Sequence, residues 1–109
     1  MSVPDICVWK HGKAVTWEAG CIMEPMGNAV HTTLQTEIAG KTVAVFGCGP
    51  SGLMAIAVAK AAGAAEIFAS DISDYRVKLA KKVGAHHVFD ARHTDVAKQI
   101  KDLTNGLGA

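Results

Sequence analysis

Residues Thr42 to Gly52 read TVAVFGCGPSG. Thr42 to Phe46 is a nearly continuous apolar run rich in β-branched residues. It has the pattern of a strand buried on both faces of a parallel sheet. Directly behind it Gly47, Gly49 and Gly52 fall at the G-x-G-x-x-G spacing. Pro50 to Ala62 then reads as a helix of good formers, with Leu53, Met54, Ile56, Ala57 and Val58 apolar and Gly63 as its stop. A lone G-x-G-x-x-G is weak evidence. It gains meaning when it follows a strand, opens a helix, lies in a βαβ unit, and has an acid about 20 residues further on.

The residues downstream supply that setting. Ala65 to Ser70 (AEIFAS) reads as a second strand, with Asp71 directly after it. Ser73 is a helix N-cap, followed by Tyr75, Leu79 and Val83 at four-residue intervals, with Val77 flanking and Gly84 as the end. His86 to Phe89 (HHVF) is a third strand. Thr94 or Asp95 caps a third helix carrying Val96, Ile100 and Leu103, and NGLG punctuates its end. The order is β-α-β-α-β-α with short connections, which implies parallel strands joined by right-handed crossovers. The fold class is therefore α/β, with the first half of a Rossmann-type parallel sheet over residues 40–109. The expected strand order places the first strand beside the second and the third beyond it. That leaves the outer edge of the first strand open, and a long apolar edge invites self-association or instability.

Residues 1–39 differ in texture and form a separate unit, a strand and helix ahead of the sheet. ICVWKHGKAV (Ile6 to Val15) looks like a short strand with a glycine turn. Thr16, with Glu18 and Ala19, starts a helix. Met26, Val30, Leu34 and Ile38 give Pro25 to Ile38 helical spacing, with Pro25 in the first turn and Gly40 closing the segment.

Each glycine of the loop has a physical task. Gly47 permits a tight turn, Gly49 lets the backbone approach a pyrophosphate without a Cβ in the way, and Gly52 lets the helix pack close on the strand. The helix N-terminus adds unpaired N–H groups and partial positive charge. Asp71 is placed to accept hydrogen bonds from an adenosine ribose. Its carboxylate repels a 2′-phosphate, so NAD is favoured over NADP. Arg76, in the first turn of the next helix, either holds the ribose region, accommodates a phosphate, or is a solvated helix charge. The competing reading of the whole motif is a structural glycine turn with a helix-capping aspartate.

Bulk properties narrow the remaining classes. The chain has 109 residues, half of them hydrophobic, which suits one small domain with a packed core. A formal net charge of +1 gives no general electrostatic case for nucleic acid or an anionic membrane. The apolar stretches are interrupted before they reach membrane-spanning length, and MSVPDICVWK lacks the layout of a secretory signal. Cys7, Cys21 and Cys48 are odd in number and form no C-x-x-C, so they read as free thiols in a reducing compartment, the cytosol. His86 and His87 are expected on alternate faces of a strand, His31 on a packed helix, and His11 and His93 in loops. All five read as non-ligands.

Four segments carry a family likeness: EPMGNAVHTTL (Glu24 to Leu34), TVAVFGCGPSGLMAIAVAKAAGA (Thr42 to Ala64), SDISDYRVKLAKKVGA (Ser70 to Ala85) and DLTNGLGA (Asp102 to Ala109). From about Val8 onward the chain resembles the medium-chain, zinc-containing dehydrogenases, and the E-P-x-G-N-A-V-H-T stretch is the most discriminating part. The branch it resembles most oxidises the hydroxyl of L-threonine to 2-amino-3-oxobutanoate, passing hydride to NAD. The resemblance implies cofactor contacts at Gly47, Gly49, Ser51, Gly52, Asp71 and Arg76, with Ser51 standing where relatives carry Ile or Leu. It also implies a catalytic role for Glu24, as an acid beside the zinc that assists a proton relay. Read from its surroundings alone, Glu24 is either that or a solvent-facing acid near a helix start. The family's zinc ligands match no positions of this chain, so no metal role falls on Cys7, Cys21 or the histidines. The expectation is a fragment, with residues 1–39 a remnant of the catalytic domain and its connecting helix, that holds the adenosine half of NAD and is inactive alone. A homotetramer of the full-length enzyme, a small hydroxy-compound substrate, and no nucleic-acid or membrane partner complete it. Another alcohol or polyol dehydrogenase of the same family, and a non-enzymatic nucleotide-binding module, stay open as alternatives.

Overall fold

The computed structural model describes residues 2–109. In chain order they form a 3-10 turn Asp5–Cys7, α1 Trp17–Cys21, α2 Met23–Thr33, β1 Thr42–Phe46, α3 Pro50–Ala61, β2 Glu66–Asp71, α4 Asp74–Val83, β3 His87–Asp90 and α5 Val96–Leu103. The strands make one parallel sheet in the order β1-β2-β3. Its register pairs Thr42 with Glu66 through Phe46 with Ser70, and Phe68 with His87 through Asp71 with Asp90. The α/β pattern and the strand order expected from sequence are the ones found.

Side-chain alternation along β2 divides the core into two layers. Ile67 and Ala69 face Ile56 and Ala59 of α3 and Ala80 of α4, joined by Cys48 and Ala85. Phe68 faces the other way, against Val96 and Ile100 of α5. Helices α3 and α4 thus cover one face and α5 the other. Helix α3 is apolar almost all round because it also lies against α2. Helix α5 is one-sided. It buries Val96 and Ile100, while Lys98 and Asp102 pair on its outer face at 2.6 Å. Asp95 caps it by accepting the Lys98 N–H at 3.0 Å.

Strand β1 departs from expectation in burial. The sequence run reads as buried on both faces, yet β1 is only half-buried and Phe46 is 67% exposed. Val43 and Val45 pack on the α3 side and Ala44 on the α5 side, but no strand pairs with the outer edge among the described residues, so β1 has a neighbouring strand on one edge only. The central strand β2 has that two-sided burial instead, with Ile67 through Asp71 all buried.

The N-terminal strand is not formed. Asp5–Cys7 is a 3-10 turn, and Val8 to Lys10 belong to no strand. A strand needs a neighbour to satisfy its main chain, and this segment pairs with neither outer edge of the sheet. Thr16 does start α1, accepting the Ala19 N–H at 3.2 Å. Helix α2 begins at Met23, two residues before Pro25, because the first helical turn needs no N–H donors there. It ends at Thr33 rather than Ile38. Ile38 sits outside the helix and plugs the α3 side of the core, so its spacing reflects burial and not helical continuation. β3 starts at His87, leaving His86 ahead of the strand.

Candidate functional site

The carboxyl ends of β1 and β2 meet under the glycine loop. Gly47 takes φ +93°, the left-handed region that favours glycine, and its N–H donates to the Ser70 carbonyl at 2.8 Å. The next residue, Cys48, is fully buried; its thiol donates to the same carbonyl at 3.5 Å. Burial, and then the charge of Asp71, push that thiol's pKa up, so it is a packing group and not a nucleophile.

Gly49 is the N-cap of α3 and offers no capping side chain, and Pro50 follows in the first turn. The Ser51 and Gly52 N–H groups therefore reach the helix end without intrahelical carbonyls to bond. A Cβ built on Gly49 meets nothing within 4 Å, so the space above the loop is open to a ligand. Gly52 is the opposite case. A Cβ there lies 2.0 Å from the Gly47 carbonyl oxygen and 3.5 Å from Val45 Cγ1. Gly52 is what allows α3 to sit this close to β1.

Asp71 is the last residue of β2 and only 7% exposed. Its Oδ1 accepts the Ser73 N–H at 2.9 Å, and its Oδ2 accepts the Cys48 N–H at 2.7 Å. Arg76 Nη1 lies 3.8 Å from Oδ2 on a half-exposed side chain. The Ser73 and Cys48 hydrogen bonds, with a smaller contribution from Arg76, hold the Asp71 carboxyl below the ordinary range despite its burial. Asp71 is thus ionised and fixed in orientation. Each of its oxygens has used one acceptor position and keeps another for a ligand hydroxyl. Gly47, Asp71, Ile72, Arg76 and Ala91 line a depression of about 280 Å³ at this end of the sheet.

The structure brings Gly47, Asp71 and Arg76 to one hollow, with Gly49, Ser51 and Gly52 at the start of the helix that rises from the loop. Glu24 stands apart. It is exposed on the first turn of α2, where its Oε1 accepts from Asn28 Nδ2 at 2.5 Å. It lines a different, wider depression of about 900 Å³ with Trp9, His11 and Trp17. His31 is also exposed on α2, against Gln35, and not packed as expected. Sequence reasoning missed the two N–H donors that fix Asp71. The one from Ser73 was detectable, since an aspartate bonding the N–H two residues on is an Asx turn. The one from Cys48 has no local signal. Among the described residues no three His, Cys, Asp or Glu side chains gather in a way that would hold a metal ion. Likewise, no helix is long and apolar enough to cross a membrane.

Ser51 is exposed at the second position of α3 and its hydroxyl makes no hydrogen bond among the described residues. Ser51→Ile is expected to change the free energy of unfolding by less than about 0.5 kcal/mol in urea denaturation. A larger loss would show that the hydroxyl holds the helix start.

A family model described as zinc-binding dehydrogenase matches residues 50–109. The chain is 48% identical over 106 residues to an L-threonine 3-dehydrogenase of Pyrococcus abyssi, covering 97% of this chain and 30% of that protein. It is 46% identical over 109 residues to an L-threonine 3-dehydrogenase of Bacillus subtilis, covering 100% of this chain and 31% of that one. The chain thus spans about a third of the length of the curated relatives it matches. Among solved structures it is similar to 2R,3R-butanediol dehydrogenase from Bacillus subtilis, at 35% identity and a TM-score of 0.71 over 89% of this chain and 28% of that one. It is also similar to a quinone oxidoreductase of Pseudomonas syringae, at 27% identity and a TM-score of 0.86 over 95% and 33%.

Proposed function

Since this chain belongs to the zinc-binding dehydrogenases, we propose that it forms the pyrophosphate and adenosine half of an NAD site. The enzyme it serves oxidises L-threonine to 2-amino-3-oxobutanoate. The observation that carries the first part is the tie between the Cys48 N–H and Asp71 Oδ2, which joins the glycine loop and the ribose acid into one preformed unit. The near-half identity to L-threonine 3-dehydrogenases supports the substrate.

In this reading the Ser51 and Gly52 N–H groups receive the pyrophosphate at the positive end of α3. Gly49 gives it room. Asp71 accepts from the ribose hydroxyls and, being ionised, opposes a 2′-phosphate. Arg76 steadies the Asp71 carboxylate from its exposed side and lies along the same hollow. NAD, when bound, supplies the hydride acceptor. Glu24 is assigned to proton transfer on the catalytic side. Its exposure on α2 means that this role depends on contact with the rest of the enzyme, and the chain alone is assigned no turnover. The residues described do not form a zinc site, and no step is drawn through zinc. The assembled enzyme is proposed to be a cytoplasmic homotetramer.

Calorimetric titration of the 109-residue chain tests the cofactor half. AMP and NAD are expected to bind with similar affinity, because the contacts are to the adenosine side. NADP is expected to bind about tenfold more weakly or worse, since a 2′-phosphate meets the Asp71 charge. A folded chain that binds neither AMP nor NAD overturns the proposal. Joining the chain to the remaining two-thirds of a threonine dehydrogenase tests the substrate. NAD reduction faster with 2,3-butanediol or a polyol than with L-threonine would reassign it.

A further inference from the structure

We propose that His86 is a pH-operated latch that closes the entry to β3. A residue in the central strand of a parallel sheet gives its N–H and its C=O to the same neighbouring strand. Ile67 does this toward β3. Its carbonyl accepts the His86 N–H at 2.8 Å. Its own N–H, however, finds no main-chain carbonyl, because the chain before His86 is only leaving α4, at Gly84 with φ +143°. The imidazole of His86 takes the place of that carbonyl, with Nδ1 accepting the Ile67 N–H at 2.9 Å. Ile67 is itself fully buried in the core, so this two-bond clasp pins the start of the β2–β3 pairing, which begins at Phe68 with His87.

A peptide carbonyl accepts at any pH, whereas an imidazole nitrogen accepts only while it is bare. The clasp therefore requires the neutral ring with its hydrogen on Nε2. A second proton must go to Nδ1, which turns an acceptor into a donor facing the Ile67 N–H. The surroundings give the protonated ring somewhere to go. Glu66 of β2 holds Oε2 at 3.9 Å from His86 Nδ1 and at 3.1 Å from Nε2 of His87 in β3. Two lysines stand at the same turn. Lys81 of α4 donates to the His86 carbonyl at 2.5 Å, and Lys60 of α3 lies where a side chain on Gly84 would be. The protonated ring turns to the half-exposed Glu66, and the Ile67 N–H loses its partner. The clasp sits at the amino ends of the strands, whereas Gly47 and Asp71 sit at the carboxyl ends. Acidification thus loosens β2 from β3 without touching the ribose hollow, and this inference does not depend on the proposed cofactor.

NMR on the full 109-residue chain tests it. At about pH 7.5, ¹⁵N shifts are expected to show His86 as the Nε2–H tautomer. Between about pH 7.5 and about pH 5.5 the hydrogen-exchange protection of the Ile67 amide, corrected for the intrinsic pH dependence of exchange, is expected to fall about tenfold. His86→Gln keeps an acceptor oxygen that takes up no proton in this range, so it should flatten that fall. His87→Gln should leave it in place. An Nδ1–H tautomer at the higher pH, or the same fall in His86→Gln, overturns the proposal. If His86→Gln does not fold, the tautomer and the Ile67 protection of the parent chain decide the matter.

Discussion

Gly52→Ala is expected to lower the free energy of unfolding by about 2 kcal/mol, and to abolish AMP and NAD binding with it. Alanine is the better helix former, by about 1 kcal/mol, so propensity alone predicts the opposite sign. Sterics decide. The new Cβ lies 2.0 Å from the Gly47 carbonyl oxygen, which is main chain and not the end of a flexible side chain. That carbonyl cannot retreat freely, because the Gly47 and Cys48 N–H groups are bonded to Ser70 and Asp71. The helix must therefore move off β1 and disturb the contact of Ile56 and Ala59 with the sheet. Gly49→Ala is the informative control. Its Cβ meets nothing and its φ of −70° suits any residue, so stability should stay within about 0.5 kcal/mol while nucleotide affinity falls. Urea denaturation and calorimetry on the two variants separate the roles. A Gly52→Ala protein as stable as the parent would mean that the loop is not packed as described.

Asp71→Asn is expected to cost about 2 kcal/mol at neutral pH and to weaken AMP and NAD binding about tenfold. Asparagine keeps one carbonyl oxygen and replaces the other with an amino group. Of the N–H groups of Cys48 and Ser73, only one can still be accepted in place, and the other faces a donor. The sign of the pH dependence follows from the lowered carboxyl. Its stabilisation is complete above the unfolded-state value of about 3.9 and is lost as pH falls through the lower folded-state value. The parent should thus exceed the variant by its full margin at about pH 7, and that margin should shrink below about pH 4. Asp90, held at about 2 by hydrogen bonds from Arg92, titrates in both proteins and drops out of the difference. A margin that is the same at both ends of the range would show that the carboxylate charge is not what ties the loop. Loss of discrimination between NAD and NADP in the variant would confirm the second job given to that charge.

The sheet half of the fold was legible because its signals are local. Apolar runs of strand length, glycines after helices and an acid in the right interval each follow from a few neighbouring residues. The failures have a common physical cause. Ile6 to Lys10 has strand composition, but a strand is a relation between two segments, and this one pairs with neither open edge of the sheet. Ile38 continues a four-residue apolar spacing past the end of α2, yet it is buried from a connecting segment, since periodicity reports burial and only indirectly conformation. His86 and His87 were expected to point apart as strand neighbours, but His86 precedes the strand and both rings approach Glu66. At the site, the positions of Gly47, Gly52 and Asp71 could be read from their order in the chain. The hydrogen bond from Cys48 to Asp71 spans 23 positions and exists only once the strands are paired, so no window of sequence contains it.

The pairing of each strand with the one next in the chain also fixes how the sheet can be assembled. Thr42 meets Glu66 and Phe68 meets His87, so the pairings close loops of about 24 and about 19 residues, most of each being helix. The entropy lost in closing such loops is modest and nearly equal for the two pairings. Synthesis runs in chain order, so β1, α3 and β2 are complete before β3 and can close first, offering β3 a finished edge. Asp71 and the loop that orients it belong to that first closure. A chain emerging from the ribosome can complete the tie between Cys48 and Asp71 before α5 has been synthesised.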